Sequence, residues 1–158
     1  MVLGSSLQCV LLLDDTRVTT RDQAIESMLA RLAADGFVPS QLVDELQDSI
    51  ARREELGPTG IGEGVAIPHA WHRGLERMAS ALAVSRQGLD YPSLDGQPVH
   101  IVLLVLTPPS AEFEPAKGKL LDRWLRHLRE PAFRASLTMA ANEQELHATI
   151  HAAEQTQI

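Results

Sequence analysis

The sequence around His69 points most directly to chemistry. His69 ends a glycine-rich stretch, Thr59-Gly-Ile-Gly-Glu-Gly-Val-Ala-Ile-Pro-His69. Pro68 fixes its own φ and favours an extended Ile67, so we expect His69 at the end of a strand, where a loop begins. A neutral imidazole has one free nitrogen lone pair and a second nitrogen that a hydrogen bond can anchor, which suits reversible phosphoryl transfer near pH 7. The alternative interpretation is a histidine that only hydrogen-bonds a loop carbonyl.

Two neighbours of His69, Trp71 and His72, are candidates for other roles. His72 completes a His-x-x-His spacing, but a zinc site needs three or four ligands, and no cysteine or carboxylate group completes this one. We therefore predict neither a metal nor a cofactor. Trp71 is a candidate exposed contact for a partner, with a packing role as the alternative.

His127 and His147 lie on predicted helices, and we expect both at the surface.

Composition narrows the class of protein. The chain of 158 residues is predicted to form a single domain, residues 1–158. Its net charge of −7 argues against nucleic-acid binding and allows a basic protein partner. Cys9 is the only cysteine, which excludes an intrachain disulfide and favours a cytoplasmic location. No apolar run has the length of a membrane span and no secretory signal is evident, so we expect no direct membrane insertion.

Hydrophobic periodicity predicts strands alternating with helices. Short apolar runs indicate strands at residues 9–13, 65–67, 79–85 and 99–106, and the last reads as a central strand covered on both faces. Thr20 is a candidate N-cap with Gln23 at the capping-box position, and Gly36 can close the helix that follows. Further helices are expected up to about Leu56, from Glu114-Pro115, from Pro131 and from Asn142. The expected fold is therefore α/β, a layered α/β/α sandwich with a small mixed sheet flanked by helices.

Residues 53–69 also resemble a known signature. Arg53-Glu-Glu-Leu-Gly-Pro-Thr-Gly-Ile-Gly-Glu-Gly-Val-Ala-Ile-Pro-His69 is similar to the pattern R-E-x-x-G-x-T-G-I-G-x-G-x-A-I-P-H. That pattern is typical of the fructose–mannitol class, type 2, of enzyme IIA in the bacterial sugar phosphotransferase system (PTS), including its nitrogen-regulatory branch. Residues 88–91, 94–99, 103–109 and 128–134 extend the resemblance to nearly the whole chain.

The resemblance implies a phosphotransferase role. His69 would be phosphorylated on Nε2 by the small phosphocarrier HPr and would pass the group to a IIB component for sugar transport. The alternative is a nitrogen-regulatory protein that binds and regulates partner proteins according to the phosphorylation of His69, without sugar transport.

The resemblance also implies residues around the phosphate. Arg53 falls on the family's phosphate-side arginine and could pair bidentately with phosphate oxygens. Its alternative is a solvated arginine favoured by a helix C-terminus. Phosphate contacts are also expected from Thr59 and from the amides of Gly60, Gly62 and Gly64. Since no Lys-Ser/Thr follows these glycines and no helix opens directly after them, the stretch is no Walker or Rossmann loop. The glycines could instead let the backbone turn beneath the histidine.

Lys117 marks a departure from the family pattern. Many members carry a second histidine at the start of the helix after the central strand, and the alignment places Lys117 there. A lysine could neutralise phosphoryl charge, but it cannot accept a hydrogen bond from an imidazolium. The alternative is that Lys117 points into water.

Overall fold

The computed structural model describes residues 7–13 and 17–155. These residues form a mixed β-sheet between two layers of helices. Residues 1–6, on which the expectation of no secretory signal partly rests, lie outside the described residues. The strands are β1 (Cys9–Leu12), β2 (Gly60–Gly62), β3 (Val65–Ala66), β4 (His69–Trp71), β5 (Ala79–Leu89) and β6 (Val99–Thr107). The helices are α1 (Arg21–Ala34), α2 (Val43–Glu55), α3 (Glu114–Leu128), α4 (Pro131–Thr138) and α5 (Glu143–Glu154).

β6 is the strand on which the candidate site is built. The sheet order is β1-β5-β6-β3-β2, and β4 also pairs with β6. β5 runs antiparallel to β6, whereas β3 and β4 run parallel to it and share its other edge. Val65 pairs with Ile101, and His69 pairs with Val105 further along the same strand. The chain from β3 to β4 therefore follows one edge of β6 towards its C-terminal end.

Helices cover both faces of this sheet, as predicted. Alternate side chains of β6 belong to the hydrophobic cores on opposite faces of the sheet. Val102 and Leu104 pack with α1 and α2, whereas Ile101 and Leu103 pack with α3, α4 and α5. Full burial of each such side chain contributes about 1.5–3 kcal/mol. The continuous apolar run of β6 thus has a structural reason, because neither of its faces meets water.

The predicted helix ends are confirmed. Thr20 and Gln23 form a reciprocal capping box at the start of α1, and Gly36 follows that helix with φ of 81°. Asn142 accepts a hydrogen bond from the Glu145 amide at 2.8 Å and caps α5. These termini could be predicted because capping depends on residues three or four positions apart.

Two local expectations were wrong. His69 does not begin a loop but a second short strand, because β6 continues past β3 and offers Val105 as a further partner. Pro68 has no N–H group and only interrupts the pairing. His127 is buried, not at the surface, since its ring lies 5.5 Å from that of Phe133 on the overlying α4.

Among the described residues, none of the helices combines the length and apolar character that crossing a membrane requires.

Candidate functional site

His69 is held through one ring nitrogen. Its side chain is half-buried, and Nδ1 lies 3.4 Å from the Ile67 carbonyl oxygen. A carbonyl only accepts, so Nδ1 must carry the hydrogen, a tautomer assigned from this partner. Nε2 then keeps its lone pair and can act as a nucleophile.

Ile67 is fixed in turn by Thr59. The Ile67 amide donates to the Thr59 carbonyl at 3.0 Å, and the Val105 amide of β6 donates to the Pro68 carbonyl at 3.1 Å. These backbone bonds set the direction of the Ile67 carbonyl, which is the group that selects the His69 tautomer. The position of Thr59 therefore bears on the histidine, although Thr59 does not contact it in these bonds.

Thr59 is anchored on Glu54, near the end of α2. The amide of Thr59 lies 3.3 Å from both carboxylate oxygens, and its hydroxyl donates to the same carboxylate. The Tyr91 hydroxyl lies 3.2 Å from Glu54 Oε1 and 2.7 Å from Thr59 Oγ1. All three residues are buried. Burying a carboxylate is costly unless donors surround it, and here three polar groups do so.

This environment keeps the Tyr91 hydroxyl protonated. Burial raises its pKa above the usual value, and the negative charge of Glu54 raises it further. A neutral hydroxyl retains the hydrogen that it needs to donate to the carboxylate. The buried group thus works as a fixed hydrogen-bonding unit under the glycine-rich stretch.

The glycines form a tight hairpin against a neighbouring loop. A Cβ on Gly60 would lie 2.5 Å from the Pro92 carbonyl oxygen, so only glycine fits there. The next turn, from Gly62 (φ 97°) through Glu63 (φ 57°) to Gly64 (φ 76°), lies in the left-handed region that favours glycine. The structure thus supports the interpretation of these glycines as turn residues.

Several of the groups expected at the phosphate already have partners within the chain. The Gly62 amide donates to Ser93 Oγ at 3.2 Å, and the Thr59 amide and hydroxyl are both engaged with Glu54. Phosphate binding by Thr59 or Gly62 would therefore require these bonds to be exchanged. For Thr59, Gly60, Gly62 and Gly64, phosphate contact stays a prediction.

Asp95, in the neighbouring loop, holds the turn at residues 62–64. Its carboxylate accepts from the Gln97 amide at 3.1 Å and from the Glu63 amide at 3.0 Å. These two backbone hydrogen bonds lower its pKa, with the Gln97 bond the larger cause. The Glu63 amide is therefore directed towards Asp95 and away from any external anion.

The two predicted cations lie at helix ends. Arg53, in the last turn of α2, is partly buried and donates through Nη1 to the Gly57 carbonyl at 2.9 Å. Lys117, in the first turn of α3, places Nζ 3.2 Å from Glu114. Among the described residues, the hydrogen bonds of both cations go to these partners and not to His69. Their proximity to a phosphoryl group stays a prediction.

His72 lies next to the site and hydrogen-bonds a residue of α2. Its Nε2 is 2.6 Å from Glu45 Oε2, and its Nδ1 accepts from the Gly74 amide at 2.8 Å. Within residues 7–13 and 17–155, no group of three or more histidine, cysteine, aspartate or glutamate side chains is arranged to hold a metal ion.

Sequence reasoning missed the contribution of Glu54 and Tyr91. One signal was available: Glu54 follows Leu46 and Ile50 at intervals of four residues, so a charged residue occupies the apolar face of α2. A buried carboxylate predicts nearby donors. Nothing local identified Tyr91, which is 37 residues from Glu54 in the sequence.

The family model described as "Phosphoenolpyruvate-dependent sugar phosphotransferase system, EIIA 2" matches residues 6–153. The chain is 33% identical over 133 residues to the PTS 2-O-alpha-mannosyl-D-glycerate-specific EIIABC component of Escherichia coli K12. The match covers 84% of this chain and 20% of that protein. The chain thus spans about a fifth of the length of this relative.

Two further similarities involve nitrogen regulatory proteins. The protein of that name from Bradyrhizobium diazoefficiens is 31% identical over 134 residues, covering 85% of this chain and 84% of the relative. The crystal structure of nitrogen regulatory protein IIA-Ntr from Neisseria meningitidis superposes with a TM-score of 0.75 at 25% identity. That superposition covers 93% of this chain and 97% of the other.

Proposed function

Because the chain belongs to the EIIA 2 family of the phosphoenolpyruvate-dependent sugar phosphotransferase system, we propose that it is a histidine phosphocarrier. His69 takes a phosphoryl group from phospho-HPr on Nε2 and passes it to a IIB component in the cytoplasm. One observation carries this proposal: Nδ1 of His69 faces the Ile67 carbonyl, which leaves the Nε2 lone pair on a half-buried side chain at the edge of the sheet.

The proposed chemistry is an in-line exchange. The Nε2 lone pair forms a bond to phosphorus while the donor's bond to phosphorus breaks and the donor atom keeps that electron pair. Positive charge then builds on the imidazole ring, and the Ile67 carbonyl stabilises it by accepting from Nδ1–H. Transfers of this kind depend mainly on positioning and electrostatics.

Arg53 and Lys117 are the proposed cations for the phosphoryl oxygens. The Arg53 guanidinium uses Nη1 for Gly57, and its other N–H groups remain for an anion. Lys117 would exchange its Glu114 partner for the phosphoryl group. That exchange costs little, because an ion pair with a carboxylate 64% exposed contributes at most about 1 kcal/mol.

A labelling experiment tests the carrier role. Enzyme I, HPr and labelled phosphoenolpyruvate should transfer label to the wild-type chain, and His69→Ala should take up none. His147→Ala removes an exposed histidine of α5 and should label like the wild type. Label retained by His69→Ala would overturn the assignment of the phosphorylated residue.

The regulatory role is the second candidate. The Bradyrhizobium relative supports it, because the match covers 84% of a protein named for nitrogen regulation. In the regulatory role, the chain binds partner proteins according to the phosphorylation of His69 and takes no part in sugar transport.

Two measurements separate the candidates. Label that moves from the chain to a purified IIB component supports the carrier role. Affinity capture with phosphorylated and unphosphorylated chain supports the regulatory role if the bound proteins differ between the two states. Identical sets of bound proteins would count against a phosphorylation-dependent switch.

A further inference from the structure

Trp71 lies on the same face of β4 as His69. Side chains alternate along a strand, so residues 69 and 71 project to one side and Ala70, which is buried, to the other. Two residues separate the positions by about 7 Å along the strand. Trp71 is 60% exposed, which is unusual for the largest apolar side chain. A large aromatic surface therefore stands beside the candidate nucleophile.

A groove runs from this indole to α2. It has a volume of about 470 Å³ and is lined by six residues, which we call the Trp71 groove: Glu45, Asp48, Ser49, Arg52, Trp71 and His72. Its walls thus combine one aromatic ring with the polar face of a helix.

The groove is acidic overall. His72 Nδ1 accepts a hydrogen bond from the Gly74 amide, so this nitrogen carries no hydrogen and Nε2–H donates to Glu45. The ring is therefore neutral and leaves the charge of Glu45 uncompensated. Glu45 and Asp48 oppose only Arg52 among the charged groups of the lining.

An acidic groove beside an exposed indole fits a cationic side chain. A guanidinium can stack on the indole face while it hydrogen-bonds a carboxylate, and arginine is the residue that most often does both. The net charge of −7 also attracts a basic partner.

The proposed phosphoryl exchange brings a protein partner to this place. A protein that reaches Nε2 of His69 must cover it, and a stable interface buries about 800 Å² on each side. A patch of that area extends well beyond 7 Å from its centre, so it includes Trp71. Exposed tryptophans within interfaces commonly supply a large part of the binding energy.

We propose that the Trp71 groove is the docking site for an arginine side chain of the basic protein that exchanges the phosphoryl group with His69. This inference rests on the proposed function and adds the chemistry by which the chain recognises its partner.

Binding of HPr from the same organism tests the groove without requiring transfer. Trp71→Ala should weaken binding, measured by calorimetry, about tenfold or more. Trp71→Phe should retain part of the affinity, since phenylalanine keeps a smaller π-face. Met139→Ala is the matched control, because Met139 is 77% exposed at the end of α4, on the other layer of helices.

Charge gives an independent readout. Asp48→Asn should lower the association rate and reduce the dependence of affinity on salt, because it removes one of the two carboxylates of the groove. If Asp48→Asn keeps the association rate and the salt dependence of the wild type, the carboxylates of the groove do not act on the partner, and the docking site is overturned.

The outcomes separate this inference from the carrier role. Phosphoramidate, a small phosphoryl donor that needs no docking surface, should label wild type and Trp71→Ala equally and leave His69→Ala unlabelled. Equal HPr affinity of Trp71→Ala and wild type, or no HPr binding at all, would overturn the docking site but leave the labelled histidine standing. Self-association lost in Trp71→Ala while HPr binding persists would assign the groove to a second copy and also overturn it.

Discussion

The buried carboxylate of Glu54 accepts hydrogen bonds from both the amide and the hydroxyl of Thr59. The carbonyl of Thr59 holds the Ile67 amide, and the Ile67 carbonyl faces Nδ1 of His69. Glu54, at the end of α2, is thereby linked to His69 on β4 through the backbone of Thr59 and Ile67. The last group in this series, the Ile67 carbonyl, selects the tautomer of the histidine.

Glu54→Ala should destabilise the chain and disturb His69. The substitution leaves two or three buried donors without an acceptor, at a cost of about 1–3 kcal/mol each if no water replaces the carboxylate. The free energy of unfolding in urea measures the loss, and Glu55→Ala, exposed on the same helix, is the control.

The effect on His69 needs its own measurement. Long-range ¹H–¹⁵N NMR spectra should show a single Nδ1–H tautomer in the wild type and a mixture in Glu54→Ala. Thr59→Ser keeps both donors and should preserve the wild-type spectrum. An unchanged tautomer in a folded but destabilised Glu54→Ala would leave only a structural role for the carboxylate.

Two glycine substitutions should act in opposite directions. Gly60→Ala places a Cβ 2.5 Å from the Pro92 carbonyl, so the hairpin and the neighbouring loop must separate, and we expect a loss of about 2 kcal/mol or more. Gly118→Ala, in α3 with open space around the added Cβ, should gain about 0.5–1 kcal/mol. Thermal unfolding measures both, and a stability loss in Gly118→Ala would contradict the helical account.

His127 should make stability depend on pH. Burial lowers its pKa, the charge of Arg123 lowers it further, and Glu154 acts in the opposite direction. The unfolded chain, with an ordinary histidine pKa of about 6.5, thus takes up a proton at a higher pH than the folded chain. This contribution to stability is present above about pH 6.5 and is lost as the pH falls towards the lower folded-state pKa.

The measurement is the free energy of unfolding between pH 7.5 and pH 5. His127→Leu should flatten the decline relative to wild type, because it removes the buried titrating ring and its Nδ1, which has no hydrogen-bond partner among the described residues. His147→Leu, on the exposed side of α5, is the matched control. Parallel pH profiles for wild type and His127→Leu would contradict the prediction.

Cys9 should react slowly with alkylating reagents. Burial raises its pKa to about 11, and the Asp35 carboxylate, 3.5 Å from Sγ, adds to the shift. Against the ordinary value of 9.0, the thiolate fraction at neutral pH falls about a hundredfold. Iodoacetamide should modify the folded chain far more slowly than the chain unfolded in urea, and equal rates would show that Cys9 is accessible.

Elements defined by near neighbours were predictable, and contacts defined by distant ones were not. The N-terminal caps of α1 and α5 and the long apolar run of β6 depend on residues a few positions apart, and the structure has them where they were expected. The burial of His127 depends on α4 folding back over α3, and the periodicity of α3 alone does not contain that information. The same holds for β4, which exists because β6 extends past β3.

The sequence by itself determined the class of the fold, the family to which the chain belongs and the candidate histidine, His69. Those conclusions follow from periodicity, capping and the fixed spacing between Arg53 and His69, all of which are properties of local chain. Only the tertiary structure decided that Nδ1 of His69 faces a carbonyl, that Glu54 anchors the segment behind it, and that Trp71 stands exposed beside it. The physical reason is that hydrogen bonds and burial depend on which segments meet across the sheet, and strand pairing sets that over many residues of intervening chain.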